Sequence, residues 1–405
     1  MNKNTLYITF DGLSDPLGQS QILPYLIGIA KQGEYHITIL SCEKTDVLRI
    51  EKENIEKLLS QFSINWIYIP YDKEGNFLTR FLYVQKLARM AKKIVQLKKI
   101  SLIHCRSYLA SLIGLRFKKK YNIPFVFDMR GYWADERMDG NIWRRSNLLH
   151  NFFYHYFKSK EKQYIKKSDA IVSLTYAAYK DLSLRFTEKL IALKTVVIPC
   201  CTNTDYFNKE QIQNKNLLPT ISENDFLIIY TGSIGTWYYT KEMIDCILVW
   251  KQKIPNIKLL ILTRDIKELN LTLQNYTLQE RSIIQFQSAS YLDVPNYLAL
   301  AKASLFFIKP AYSKIASSPT KMAECWSMNL PIITNSGIGD NDIYFKQNEG
   351  GILINSFTKE SYEKACDEFL LQLKKEINYR KIALDHFDTK TAIQKYVQVY
   401  DRLSR

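Results

Sequence analysis

Short apolar runs and amphipathic segments alternate along almost the whole chain, and the alternation begins twice. In the first half, strand-like runs at 6–10, 36–41, 65–70, 101–105, 124–128, 169–174 and 195–199 are separated by helical patterns near 19–32, 50–61, 80–99, 108–121 and 151–167. Strands spaced by helices of this length need parallel crossovers, so each series predicts a doubly wound sheet with helices on both faces. After a polar stretch at 208–224, which reads as a linker, runs at 226–230, 257–263, 282–287, 303–308, 331–334 and 351–354 repeat the pattern. A helical tail follows from about residue 359 to residue 403. The fold class is therefore α/β, with two Rossmann-like α/β/α domains facing across a cleft. The expected boundaries are 1–200 and 201–387, with the tail at 388–405 packing back on the first domain.

Charge narrows the partners. Lys and Arg number 56 against 40 Asp and Glu, a formal charge of +16 that points to an anionic partner. The start runs from Met1 to Thr5 directly into a strand-like run, without the apolar core of a leader peptide. No apolar stretch is long enough to span a bilayer. The seven cysteines are irregularly spaced and the five histidines form no ligand-spaced cluster, so neither a disulfide framework nor a metal site is expected. The expected compartment is cytoplasmic.

In sheets of this kind, ligands bind beyond the carboxyl ends of the strands, which singles out the loops there. The first, Asp11 to Gln21, carries Gly18 ahead of a helix. The loop after residue 127 holds Asp128, Arg130, Asp135 and Glu136 together with Tyr132 and Trp133. Aromatic faces suit sugar rings, carboxylates hold hydroxyls, and an arginine fork takes phosphate or carboxylate. A structural ion-pair network explains the same residues. In the second half, Gly232, Ser233, Gly235 and Thr236 make a turn suited to phosphate, or an ordinary tight turn. Arg264 follows the next strand. Lys309, Lys314 and Lys321 surround Ser317, Ser318 and Thr320, with Pro319 in the first turn of a helix whose positive end would favour a diphosphate. Glu324, one turn on, suits the vicinal hydroxyls of a ribose.

These stretches together resemble the retaining nucleotide-sugar glycosyltransferases of family 4, the bacterial group 1 glycosyltransferases, over essentially the whole chain. The resemblance implies the GT-B fold and transfer of a glycosyl group from a nucleotide-sugar donor to a hydroxyl with retention. It implies a lipid-linked or saccharide acceptor and a role in surface polysaccharide or glycolipid synthesis. Gly18, Gly232, Ser233, Gly235, Thr236, Arg264, the three lysines, the three hydroxyl residues and Glu324 are the expected donor contacts. Asp128, Arg130, Asp135 and Glu136 are the expected catalytic residues. No cofactor or metal is expected, because cations can stabilise the leaving diphosphate. Two departures stand out. The family's signature pairs two glutamates, and here the positions hold Ala316 and Glu324; a histidine usual in the loop after the fifth strand is replaced by Arg130.

Between Glu74 and Asp128 there is no acidic residue, while Lys and Arg number twelve. The segment from Arg80 to Lys99 is amphipathic with a basic side, and Lys118 to Lys120 add to it, so an anionic membrane surface is the expected docking partner, on the inner face of the cytoplasmic membrane. A solvated basic face on a sheet-covering helix explains the pattern equally well. Two other readings compete: a catalytically silent sugar-nucleotide-binding relative, motivated by Ala316, and a nucleic-acid-binding protein, which lacks any recognisable module.

Overall fold

The computed structural model describes residues 3–72, 77–212, 222, 224–346 and 349–404. Residues 213–221 and 223 of the expected linker lie outside the described residues. The chain divides into two compact units, Met1–Pro199 with Thr389–Arg405, and Cys200–Asp388.

The first unit is built on seven parallel strands: β1 (Asn4–Thr9), β2 (His36–Lys44), β3 (Ile64–Tyr71), β4 (Leu102–Arg106), β5 (Phe125–Asp128), β6 (Ala170–Ser173) and β7 (Thr195–Val197). Their order is β3-β2-β1-β4-β5-β6-β7. The second unit carries β8 (Phe226–Thr231), β9 (Ile257–Leu262), β10 (Ile284–Gln287), β11 (Ala303–Leu305), β12 (Ile332–Asn335) and β13 (Gly351–Ile354), ordered β10-β9-β8-β11-β12-β13. All pairings between these strands are parallel. The central strands are covered on both faces, which is why Leu6, Ile8, Ile103, Phe125, Val126, Ile228 and Ile229 form unbroken apolar runs with no exposed surface. Sheet order reverses between β1 and β4 and again between β8 and β11, and such reversals open a crevice at the strand ends.

The helices differ from expectation at breaks. The pattern at 19–32 splits into Pro16–Gln21 and Leu23–Gly33, because Pro24 lacks an N–H and starts a new helix. Residues expected in a loop form the helix Trp133–Asp139. Pro319 stands at the cap, outside the first turn, and the helix begins at Thr320. The tail is three helices, Lys359–Gln372, Tyr379–His386 and Thr389–Leu403. The last packs on Leu23–Gly33 so closely that a Cβ on Gly28 would lie 2.1 Å from the Ile393 side chain.

Candidate active site

In the second unit, the loops after β8, β11 and β12 are laced together by their backbones. The Lys309 N–H donates to the Trp237 carbonyl at 2.8 Å, and the Gly339 N–H donates to the Lys314 carbonyl at 2.8 Å. From the loop after β9, the Asp265 carboxylate accepts from the Ile234 N–H at 2.8 Å. Gly232 has φ +136°, open to glycine, and a Cβ there would meet the Lys321 ammonium at 2.8 Å. Lys321 enters from the first turn of Thr320–Ser327. Its Nζ lies 3.9 Å from the Tyr238 ring centre and 4.3 Å from that of Tyr230, and it is buried without a hydrogen-bond partner. Burial pulls its pKa down to about 7, against the pull of nearby Cys325 and Glu324. Burial raises the Glu324 carboxyl to about 7, with Lys321 opposing. Lys314, also buried, sets its ammonium 3.6 Å over the Trp237 ring.

Gly232, Lys314, Lys321 and Glu324 thus sit around one turn and one helix start, with the Lys309 backbone joined to it. Ser233, Gly235, Thr236 and Arg264 are exposed along the neighbouring loops. Ser317 and Thr320 are half-buried at the helix start, whereas the Ser318 hydroxyl accepts the Cys200 N–H at 3.1 Å. Gly18 lies in the first unit, buried, where a Cβ would strike the Gly12 carbonyl at 2.1 Å.

The first unit gathers charge at its own reversal. Asp128, at the end of β5, has His104 Nε2 at 3.5 Å and the Arg106 and Arg130 guanidinium groups each at 3.9 Å. The Tyr396 hydroxyl, from the C-terminal helix, donates to it at 3.4 Å. Burial pushes the Asp128 carboxyl up, but Arg130, His104 and Arg106 outweigh it and hold it below the usual range. Burial lowers His104 and leaves its imidazole neutral. Asp11, after β1, pairs with Arg106 at 3.3 Å. Arg130 has φ +53° and Ser107 φ +66°, left-handed backbone at the ends of β5 and β4 of the kind that persists where a site requires it. The loop after β1 is held by Glu43, whose fully buried carboxylate accepts the Leu13 and Ser14 N–H groups.

Asp135 belongs to a different network. Its carboxylate takes the Tyr154 hydroxyl at 2.9 Å and the Lys158 ammonium at 2.7 Å, and Lys158 continues to Glu161 at 2.8 Å, where Arg185 also ends. That network ties Trp133–Asp139 to the helix Leu148–Lys167. Glu136 is half-buried on the former. The strand-end loops at Asp11–Gln21 and Arg106–Ser107 are among those the sequence pattern selects, but it gives Asp11 and Arg106 no role. His104 and Tyr396 it leaves out, and Tyr396 lies 268 residues from its partner, where no local pattern marks it.

A family model described as Glycosyltransferase Family 4 matches residues 28–206, and one described as Glycosyl transferases group 1 matches residues 208–385. The chain belongs to these glycosyltransferases. Its fold is GT-B, as solved structures show. HepE of Anabaena, in complex with UDP and glucose, is 14% identical with a TM-score of 0.69, covering 97% of this chain and 98% of its own. Sucrose-phosphate synthase from Thermosynechococcus elongatus is 14% identical with a TM-score of 0.71, covering 99% of each. WaaG, a glycosyltransferase involved in lipopolysaccharide biosynthesis, is 15% identical with a TM-score of 0.65, covering 98% of this chain and 99% of its own. No curated protein sequence matches the chain. In this glycosyltransferase the Lys321–Glu324 cluster falls in the group 1 match and the Asp128 cluster in the family 4 match.

Proposed function

We propose that this glycosyltransferase takes its sugar from a nucleoside diphosphate donor held by the second unit. The observation that carries the reading is Lys321, a buried ammonium without a hydrogen-bond partner under the Gly232 turn. A buried ammonium with no direct hydrogen-bonded partner is costly, the Glu324 carboxylate acting on it only from nearby, and a diphosphate supplies the missing contacts. Glu324, on the same helix, suits the ribose hydroxyls. HepE, the structural relative with UDP, is consistent with this assignment.

Transfer with retention is the second element of the proposal. Ala316 stands where the family carries a carboxylate and is fully buried, so it brings no base to the reacting sugar. The leaving diphosphate takes the acceptor proton on the same face, while Lys321 and Lys314 stabilise the departing charge. The lysines do this work without a metal. Asp128 and Arg130 are proposed to act on the chemical step.

The third element is the place of work: a bacterial cytoplasmic membrane face, in surface polysaccharide or glycolipid synthesis. On the helix Phe77–Leu97, Leu87, Ala91 and Ile94 are buried while Lys86, Arg89, Lys92 and Lys93 face solvent. Beside it, a groove of about 440 Å³ has Phe81, Val84 and Leu112 on its walls and Arg116, Lys119, Lys120 and Lys160 among its cations. That combination fits an anionic lipid surface. Among the described residues no helix is long and apolar enough to cross a membrane.

Calorimetric titration with UDP tests the core of the proposal. The parent protein should bind it, chelator should leave binding and turnover unchanged, and Lys321→Met should weaken binding at least tenfold with the melting temperature kept. An unchanged dissociation constant in Lys321→Met removes the donor from this site.

A further inference from the structure

Beyond the carboxyl ends of β1, β2 and β4, the first unit encloses a second space of about 310 Å³. Four cations line it, Lys44, Arg80, Arg106 and Arg137, against two carboxylates, Asp11 and Asp15. The carboxylates are already taken: Lys44 pairs with Asp15 at 2.8 Å and Arg106 with Asp11 at 3.3 Å. Arg80 and Arg137 are left over. Among the described residues neither has a carboxylate within ion-pair distance. Arg137 packs over Trp133, its guanidinium carbon 3.4 Å from the ring centre, and its Nη1 donates to the Trp133 carbonyl at 3.2 Å. Burial lowers its pKa to about 10, Glu136 and Asp11 opposing and the neighbouring Arg80 adding to the fall, as expected of a desolvated cation beside a second cation. Tyr71 supplies an aromatic wall, and the left-handed Ser107 turns the chain at the rim.

We propose that this pocket binds an anionic saccharide, its phosphate or carboxylate held by Arg137 and Arg80 and its ring set against Tyr71. A guanidinium packed over a ring keeps its outward edge free for a bidentate contact with either oxyanion, which a lysine cannot reproduce. The selection is for charge as well as for sugar: a neutral saccharide leaves the half-buried Arg137 without an anion, while the exposed Arg80 stays solvated. If the glycosyl-transfer reading of the second unit holds, the anionic saccharide is the acceptor. The pocket itself does not depend on that reading.

Titrations with inorganic phosphate, glucose 6-phosphate, glucuronate and glucose, each with UDP present, test the proposal. At least one anion should bind in the millimolar range and glucose at least tenfold more weakly. The phosphate and carboxylate arms show which acid group the pocket prefers. Arg137→Met and the exposed Arg80→Gln should each weaken anion binding at least fivefold, with UDP affinity unchanged. Arg80→Gln removes only a surface charge, so it reads the site even if Arg137→Met proves unstable. No anion binding, binding unmoved by both variants, or binding lost instead in Lys321→Met overturns the pocket. Anion binding that persists in a protein unable to bind UDP leaves the pocket standing and removes the donor reading.

Discussion

Lys321 has consequences for pH that follow from its burial. Its pKa of about 7 in the free protein means that near pH 8 most molecules hold it neutral. A diphosphate beside it favours the ammonium, so donor binding takes up a proton. Affinity should be flat below about pH 7 and fall above it, by up to tenfold per unit. Calorimetry in buffers of different ionisation enthalpy should find close to one proton taken up at pH 8, and none in Lys321→Met. The folded-state pKa is also depressed relative to the unfolded chain, which therefore binds more protons above about 7; the free protein should gain stability with rising pH there. Glu324 has the opposite sign, with a raised carboxyl that costs stability as pH rises from the ordinary value toward about 7. Arg130 calls for a different measurement. Its side chain is 9% exposed and 3.9 Å from Asp128, so Arg130→Ala strips a buried carboxylate of one of two arginines and lowers stability and turnover together. Arg130→Lys keeps the charge and loses the planar fork. It should lower turnover at least tenfold while UDP affinity and melting temperature stay near the parent's; near-parental turnover would remove Arg130 from the chemistry. Lys321 was visible in sequence because helix starts, glycine turns and lysines are local signals. The partners of Asp128 were less so: Arg106 stands at a strand end that the pattern selects, but His104 looks like an ordinary strand residue until β4 is laid beside β5.

At the scale of elements, the strands fall where the sequence alternation places them; central ones such as β1, β5 and β8 are legible because a strand buried on both faces is apolar nearly throughout, whereas β3, β7 and β10 are only partly buried and were marked by their spacing. Ends and breaks were harder to read. The helix Trp133–Asp139 was hidden by its mixture of charge and aromatics, which tertiary pairing of Asp135 with Lys158 turns into an anchored face. The same structure refines which cations are available to a membrane. Lys118 is tied to Asp169 at 2.8 Å, and Lys98 donates to the Thr38 hydroxyl at 3.0 Å. Lys92, Lys93, Arg116 and Lys120 are exposed. Each such cation is worth about 1 kcal/mol near an anionic surface, so four reversed together should abolish binding. Co-sedimentation with phosphatidylglycerol vesicles should fall with salt and vanish in Lys92→Glu, Lys93→Glu, Arg116→Glu, Lys120→Glu, while neutral vesicles bind neither protein. Binding that survives both salt and the four substitutions would replace electrostatic docking with insertion of apolar side chains.

For the whole molecule, chain order and unit membership diverge at one place. The helix Thr389–Leu403 follows the second unit in sequence and belongs to the first. Its inner face carries Ile393, Tyr396 and Tyr400, all buried. Ile393 fills the space left by Gly28; Tyr400 meets His104 Nδ1 at 2.8 Å; Tyr396 donates to Asp128. Within the second unit, the points where the chain enters and leaves are paired: the Thr202 N–H donates to the Phe387 carbonyl at 2.9 Å, and the Thr204 hydroxyl donates to Asp388 at 3.2 Å. The second unit is therefore closed by its own residues up to Asp388, and its core shares none with the last helix. A chain ending at Asp388 loses six buried residues of the first unit, Thr389, Ala392, Ile393, Tyr396, Val399 and Tyr400, at roughly 2–5 kcal/mol for each large apolar truncation in a core, and keeps the Lys321 cluster whole. We expect such a chain to melt in two steps. The upper one should still be raised by UDP, as binding to a native unit requires. The lower one should be insensitive to UDP, and turnover should be lost. The milder double variant Tyr396→Phe, Tyr400→Phe keeps the packing and removes only the hydroxyls from Asp128 and His104. It should retain one melting step and UDP affinity with reduced turnover. Full turnover in either protein would show that the last helix only covers the sheet and that the Asp128 cluster does not depend on it.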